Sequence, residues 1–329
     1  MVSVGYKLSS EEHPPNDLVR HARLAEDTGF AFALISDHYH PWIDKQGQSP
    51  FVWSVLGALA HATRKLTIGT AVTCPTVRTH PAIIAQAAAT VAAMMPGRFF
   101  LGVGTGEALN EHILGDPWPP PHIRRDMLAE AVTVIRLLWQ GKLTNHAGDY
   151  YEVHNARIYS LPKRPPPIAV AAGGPRSAEL AGTIGDAFIG TSPEAKLIKA
   201  FGKAGGRGKP RYGELTVCWA ASESEARRTA HAWWPTAVLP SSLSWELPLP
   251  SHFESAAELV TEDAVAEEIT CGPDPRRHVD AIRKYARAGY DHVCVHQVGP
   301  DQEGFIDFYG REVLPKLRAL RAVTAADAA

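Results

Sequence analysis

Ile35-Ser36-Asp37-His38-Tyr39-His40-Pro41-Trp42 closes an apolar run, residues 30–35, that reads as a buried strand. An acid, two imidazoles and an indole therefore gather where a strand ends, the place where α/β proteins keep their chemistry. Outward from this stretch the same punctuation recurs. Strands are expected over residues 2–6, 32–35, 66–72, 98–103, 168–171, 187–189, 214–220 and 292–296. Helices are expected over 18–28, 51–63, 82–95, 124–138, 178–184, 195–203, 223–234, 277–288 and 305–320. This alternation argues an α/β fold, a single (β/α)8 TIM barrel over 1–329, against a doubly wound sheet that would use fewer strands. Residues 39–50, 141–167 and 235–263, rich in Pro, Gly, Trp and His, break the rhythm as insertions that wall a pocket. The Ala-rich tail after Leu320 is expected to fray.

The 329 residues are 45% hydrophobic, enough for a full core, and carry a net charge of −2 with scattered basic residues. No nucleic-acid or membrane-surface footprint follows from that pattern. No apolar run approaches the roughly 20 residues of a membrane helix, and no secretory leader is expected ahead of the first strand. Cys74, Cys218, Cys271 and Cys294 are widely spaced, which fits reduced thiols in the cytoplasm rather than a zinc knuckle or disulfide framework.

In a barrel, functional groups sit just after strands. Those positions offer Asp37, His38, His40 and Trp42; Gly69 to Thr76; Gly102-Val103-Gly104-Thr105-Gly106-Glu107 with Asn110; Ala171-Ala172-Gly173-Gly174-Pro175; and Gly190-Thr191-Ser192. Small and hydroxyl residues at so many strand ends suit a planar ring across the barrel mouth. The Gly173-Gly174-Pro175 turn opens a helix and offers bare N–H groups to a phosphate, or is an ordinary tight turn. The Gly102–Gly106 run lacks the spacing of a dinucleotide fingerprint. His38 and His40 form the His-x-His pair of metal-dependent barrel hydrolases, an alternative of another class. Such sites need further ligands at later strand ends, and no metal is expected. The tryptophans Trp233, Trp234 and Trp245 read as packing or pocket wall.

Ser36-Asp37-His38 with Pro41-Trp42, then Gly69-Thr70, the run Gly102 to Glu111, and Ala171 to Pro175 resemble the deazaflavin-dependent glucose-6-phosphate dehydrogenases of the luciferase-like superfamily. The resemblance implies a barrel with coenzyme F420 at its C-terminal mouth and hydride exchange between a substrate carbinol carbon and C5 of the deazaflavin. It implies His38 as the base at the hydroxyl, Trp42 as pocket wall and oxygen contact, and Glu107 as proton carrier at the ring edge. Asp37, Thr73, Thr105, Gly106 and Asn110 would border the ring. A non-prolyl cis peptide at Ala71-Val72 would back it, and Ala172, Gly173, Gly174 and Thr191 would hold the phosphate and tail. A homodimer is implied as well. An FMN-dependent luciferase-like monooxygenase is the alternative within the superfamily.

The departures bear on the substrate. The sugar-phosphate enzymes clamp a phosphate with two lysines and an arginine, positions taken here by Glu194, Ser244 and Glu268. Carboxylates repel a phosphate dianion. With His40 in place of the usual Gln, and an insertion over 233–253 rich in Trp, Leu and Pro, the expected partner is a neutral alcohol or carbonyl compound, not glucose-6-phosphate.

Overall fold

In a computed structural model, which describes residues 2–318, eight parallel strands close on themselves. They are β1 (Ser3–Leu8), β2 (Phe32–Ile35), β3 (Thr67–Thr70), β4 (Phe99–Val103), β7 (Ile168–Ala171), β8 (Ala187–Gly190), β9 (Arg211–Cys218) and β11 (His292–Gln297). The chain also forms a hairpin, β5 (Thr144–Ala147) and β6 (Glu152–Ala156), and a two-residue strand β10 (Thr270–Cys271) beside β9. Closure comes from β8 on β9 and from β11 on β1, where Ser3 faces His292. This is the α/β barrel expected from the alternation.

Helices cover the outside: α1 (Pro15–Thr28), α2 (Val52–Ala62), α3 (Pro81–Met94), α5 (Pro121–Leu138), α6 (Pro175–Ile184), α7 (Ala195–Phe201), α8 (Glu223–Trp233) and α12 (Pro275–Ala288). Their limits follow local chemistry. Pro at the first turn starts α1, α3, α5, α6 and α12, where its missing N–H costs nothing. Gly29 at φ 97° and Gly289 at φ 104° end α1 and α12 in the left-handed conformation that glycine adopts without steric penalty.

Two apolar layers result. One lies between strands and helices. The other fills the barrel: Phe32, Leu34, Phe100, Ala169, Ala187, Ile189 and Cys294, capped by Ala71, Val72 and Ala171. The column stops where the C-terminal mouth begins, so those caps become the floor of whatever binds there.

Several boundaries differ from the sequence reading. The third strand ends at Thr70 rather than 72, because the chain leaves the ladder at Ala71-Val72 and rejoins it at Thr73 opposite Val103. The seventh starts at Arg211 rather than 214; Asp291 accepts the Arg211 N–H and pairs with its guanidinium, which draws a polar segment into the sheet. The 141–167 insertion holds the hairpin, whose turn docks on Glu130 through the N–H groups of Asp149, Tyr150 and Tyr151. The 235–263 region holds α9 (Ser241–Ser244), α10 (Pro250–Ala257) and the start of α11 (Glu262–Glu268). A short α4 (Ala108–Glu111) follows β4. The last helix begins at α13 (Gln302–Phe308) and continues helically to 318. Its expected end at 320 and the fraying of the tail lie outside the described residues.

Candidate active site

A cavity opens at the C-terminal mouth of the barrel. One wall is small and flat: Ala71 and Val72 after β3, Gly104, Thr105 and Gly106 after β4, Ala171, Ala172 and Gly173 after β7, and Thr191 after β8. The Ala71-Val72 peptide is cis. Gly106 has φ 76°, and a Cβ there would lie 2.6 Å from the Cys74 sulfur, so the wall tolerates only glycine at this turn. The rest of the lining carries the bulk, including His38, Trp42, Trp234, Trp245 and His296.

His38 is held at both nitrogens. Its Nδ1 lies 3.1 Å from the His40 carbonyl, which only accepts, so Nδ1 donates. Its Nε2 lies 3.4 Å from a Glu11 oxygen. Burial pushes the Glu11 carboxyl up, but His38, Lys7 and the Ser36 hydroxyl together overrule it and hold the group at about 2. Glu11 therefore faces the imidazole as a permanent anion. Trp42 lies 5.1 Å from His38, ring centre to ring centre, and meets Phe253 of α10 edge to face. Ile43, Leu109, Leu239 and Leu247 complete that apolar anchor, so the third insertion fixes the indole.

Glu107 lines the cavity at the end of β4. Asn110 donates to it at 3.4 Å and accepts the N–H groups of Tyr39 and His40 at 2.8 and 3.2 Å. Asn110 thus ties the His38 loop to the Glu107 turn from behind. Asp37 and Thr73 also stand behind the wall: the Thr73 hydroxyl donates to Asp37 at 2.8 Å, and Arg78 pairs with Asp37 at 3.0 Å. Gly174 caps α6 one residue beyond the lining Gly173. His38, Trp42, Glu107, Ala71, Val72, Thr105, Gly106, Ala172, Gly173 and Thr191 are brought together around the cavity; Asp37, Thr73, Asn110 and Gly174 form its backing.

Other lining groups escaped the sequence reading. Lys7 and Glu214 form an ion pair of 2.8 Å in the floor, and Lys7 also donates to the Ala71 carbonyl. A lysine inside an apolar strand was the available signal, since such residues are seldom buried without a partner. Glu11 follows β1, so the strand-end rule applied to the first strand would have found it. Arg124 and Arg125 of α5 line the rim. Arg124 pairs with Glu246 at 3.0 Å and stacks on Trp118. Beside Glu246, Trp245 covers Gly173 and accepts the Ala108 N–H through its carbonyl. It is a strap from the third insertion to the ends of β4 and β7.

His40 turns away from His38, with Nδ1 on the Leu109 carbonyl at 2.9 Å and its ring stacked on His112. Among the described residues no group of three or more His, Cys, Asp or Glu could hold a metal ion, and no helix is long and apolar enough to cross a membrane. A second cavity lies at the opposite end of the barrel, between the strand starts and the strap 161–167. It is wider, but it sits at the face that barrels use for stability rather than chemistry.

The family described as luciferase-like monooxygenase matches residues 2–292. An F420-dependent glucose-6-phosphate dehydrogenase of Intrasporangium calvum is 38% identical over 97% of this chain and 100% of its own. One of Microbacterium testaceum is 39% identical over 95% and 97%. Among solved structures, an F420-dependent secondary alcohol dehydrogenase in complex with an F420-acetone adduct superposes with a TM-score of 0.88 at 31% identity, covering 95% of this chain and 98% of that one.

Proposed function

The chain belongs to the luciferase-like monooxygenase family, in its F420-dependent glucose-6-phosphate dehydrogenase-like branch, and from that premise we propose that it is an F420-dependent dehydrogenase or reductase acting on a neutral alcohol or carbonyl compound. The observation that carries the reading is that one cavity is lined both by small residues from four strand ends and by an imidazole held by a buried carboxylate. The flat wall suits a tricyclic ring. Val72, Thr105, Gly106 and Ala172 would border it, and Gly173, Thr191 and the Arg124–Arg125 rim would take its anionic tail. Asp37, Thr73, Asn110 and Gly174 support that wall from behind. Coenzyme F420 supplies the hydride acceptor or donor at C5; the chain supplies the proton chemistry.

Nε2, the His38 nitrogen that faces Glu11, does that work. With Nδ1 donating to the His40 carbonyl, Nε2 receives the hydroxyl proton in oxidation and returns it in reduction. Glu11 stabilises the resulting cation and keeps the ring oriented. Trp42 closes the pocket beside the imidazole and contacts the substrate oxygen. Glu107, at the flat wall, holds or releases the second proton at the ring edge, apart from the first.

Glu194 turns to Lys196 at 2.7 Å, Ser244 lies in α9, and Glu268 is exposed at the end of α11. None lines the cavity, so the repulsion expected of the two carboxylates is not exerted there; the indoles of Trp234 and Trp245 in the lining are what supports a substrate other than glucose-6-phosphate. A homodimer is the assembly this family reading carries with it.

Titration with coenzyme F420, followed by tryptophan fluorescence with FMN in parallel, tests the cofactor. Preference for FMN would move the protein to the monooxygenase reading. With secondary alcohols, His38→Ala should lower kcat by about 10²–10⁴-fold and leave coenzyme affinity nearly unchanged. Equal loss of both would make His38 a ring-binding residue, and efficient glucose-6-phosphate oxidation would sink the substrate assignment.

A further inference from the structure

Consecutive glutamates serve two different imidazoles in this cavity. Glu11 faces His38; Glu12 faces His296 at the end of β11, with an oxygen 3.1 Å from Nε2. The other Glu12 oxygen accepts the Gly299 N–H at 2.9 Å. Both His296 and Glu12 are buried, and the His296 ring meets Trp234 edge to face at 4.6 Å. His296 and Trp234 both line the cavity. Yet His296 Nδ1 is buried with no hydrogen-bond partner in the protein. A buried polar nitrogen left unpaired is costly, and native proteins seldom leave one without a role.

We propose that His296, positioned by Glu12, recognises a hydroxyl of the substrate other than the one that reacts at His38. The class of ligand follows from the tautomer. Glu12 presents only acceptors, so Nε2 carries the hydrogen of the tautomer and Nδ1, which has no partner, offers its lone pair. That lone pair takes an O–H donor and gains nothing from an ether or a methyl group. The substrate is then a compound with a free hydroxyl near the reacting carbon, such as a vicinal diol or hydroxy ketone. This rests on the reading of the cavity as the substrate site but needs no turnover to be tested. His296 touches the ligand; Glu12 acts through it.

The test is direct binding, by calorimetry, of propane-1,2-diol and of 1-methoxypropan-2-ol, whose second oxygen accepts but cannot donate. It is run with coenzyme-loaded protein and with protein alone. The natural protein should favour the diol by about tenfold. His296→Phe should abolish that preference while its coenzyme titration stays as in the parent. Glu12→Gln supplies a check that a merely structural role would not pass: an amide N–H offered to Nε2 reverses the tautomer, so the preference should shift toward the methoxy compound. Equal binding of the two ligands by the parent protein, or no binding of either, would overturn the proposal. So would a diol preference that survives His296→Phe. Failure of the coenzyme to bind would instead remove the F420 reading, and the ligand comparison on protein alone would still decide the role of His296.

Discussion

Glu11 is a buried carboxylate that stays charged because its neighbours reward the charge: His38, Lys7 and Ser36 outweigh the burial that opposes it. Its folded value of about 2 lies below its ordinary 4.5. Its contribution to stability is therefore present above about pH 4.5 and is lost as pH falls toward 2. Glu11→Gln should remove that part of the pH dependence, so that urea-unfolding stability falls less between pH 4.5 and 2 than in the parent. An unchanged acid loss would show that Glu11 carries none of it. His38, Trp42 and Glu107 were legible because strand ends announce themselves by a change from apolar to polar residues. Glu11 and His296 also stand at strand ends, but their partners lie 27 and 284 positions away, and that of Glu214 lies 207 away, so no local pattern encodes the pairings.

At the level of the elements, the junction of β3 and β4 depends on one side chain. The ladder runs through Ile68–Phe99 and Gly69–Phe100 and resumes at Thr73–Val103. In the gap the Thr70 hydroxyl takes over, donating to the Gly102 carbonyl at 2.7 Å and accepting the Gly102 N–H at 3.0 Å. Gly102 must be glycine here, since a Cβ would sit 1.8 Å from the Thr70 carbonyl oxygen. Thr70→Val takes that partner from the Gly102 N–H, while the Gly102 carbonyl keeps the Thr73 N–H at 2.9 Å, and should cost about 1–3 kcal/mol in urea unfolding. A change within about 0.5 kcal/mol would mean the strands re-pair without the hydroxyl. The sequence placed a strand on either side of this junction but could not show where the ladder ends. A hydroxyl that imitates backbone looks, in sequence, like any β-branched strand residue. The hairpin β5–β6 was missed for a related reason: it is largely polar, and its docking depends on Glu130, far from it in the pattern though held by three N–H groups.

For the whole molecule, the strand–helix alternation was sufficient to indicate a barrel, while closure rests on the meeting of chain segments 289 residues apart at Ser3 and His292. A ligand held by walls from β3, β4, β7 and β8 joins many segments at once, so binding should stabilise the fold as a unit. Coenzyme F420 at a hundred times its Kd should raise the thermal midpoint by about 4 °C, the equivalent of roughly 2.7 kcal/mol. His38→Ala should show nearly the same rise, and FMN at equal concentration a smaller one. A rise with FMN and none with F420 would reject the cofactor assignment by a route independent of turnover.

The return of the chain at β10 has a consequence for how such a site changes over time. After Cys218 the polypeptide runs through α8, α9, α10 and α11, then comes back at Thr270–Cys271 to pair with Val217–Cys218. Both ends of the excursion are stitched to the tip of one strand. Trp234, Ser241 and Trp245 come from within it, whereas the flat wall comes from β3, β4, β7 and β8. Lengthening such a loop costs little, about 0.6 kcal/mol for each doubling. On the proposed assignment, part of the substrate wall and the coenzyme wall are thereby written in separate passages of the chain, and that part can be revised by descent while the coenzyme wall is inherited intact.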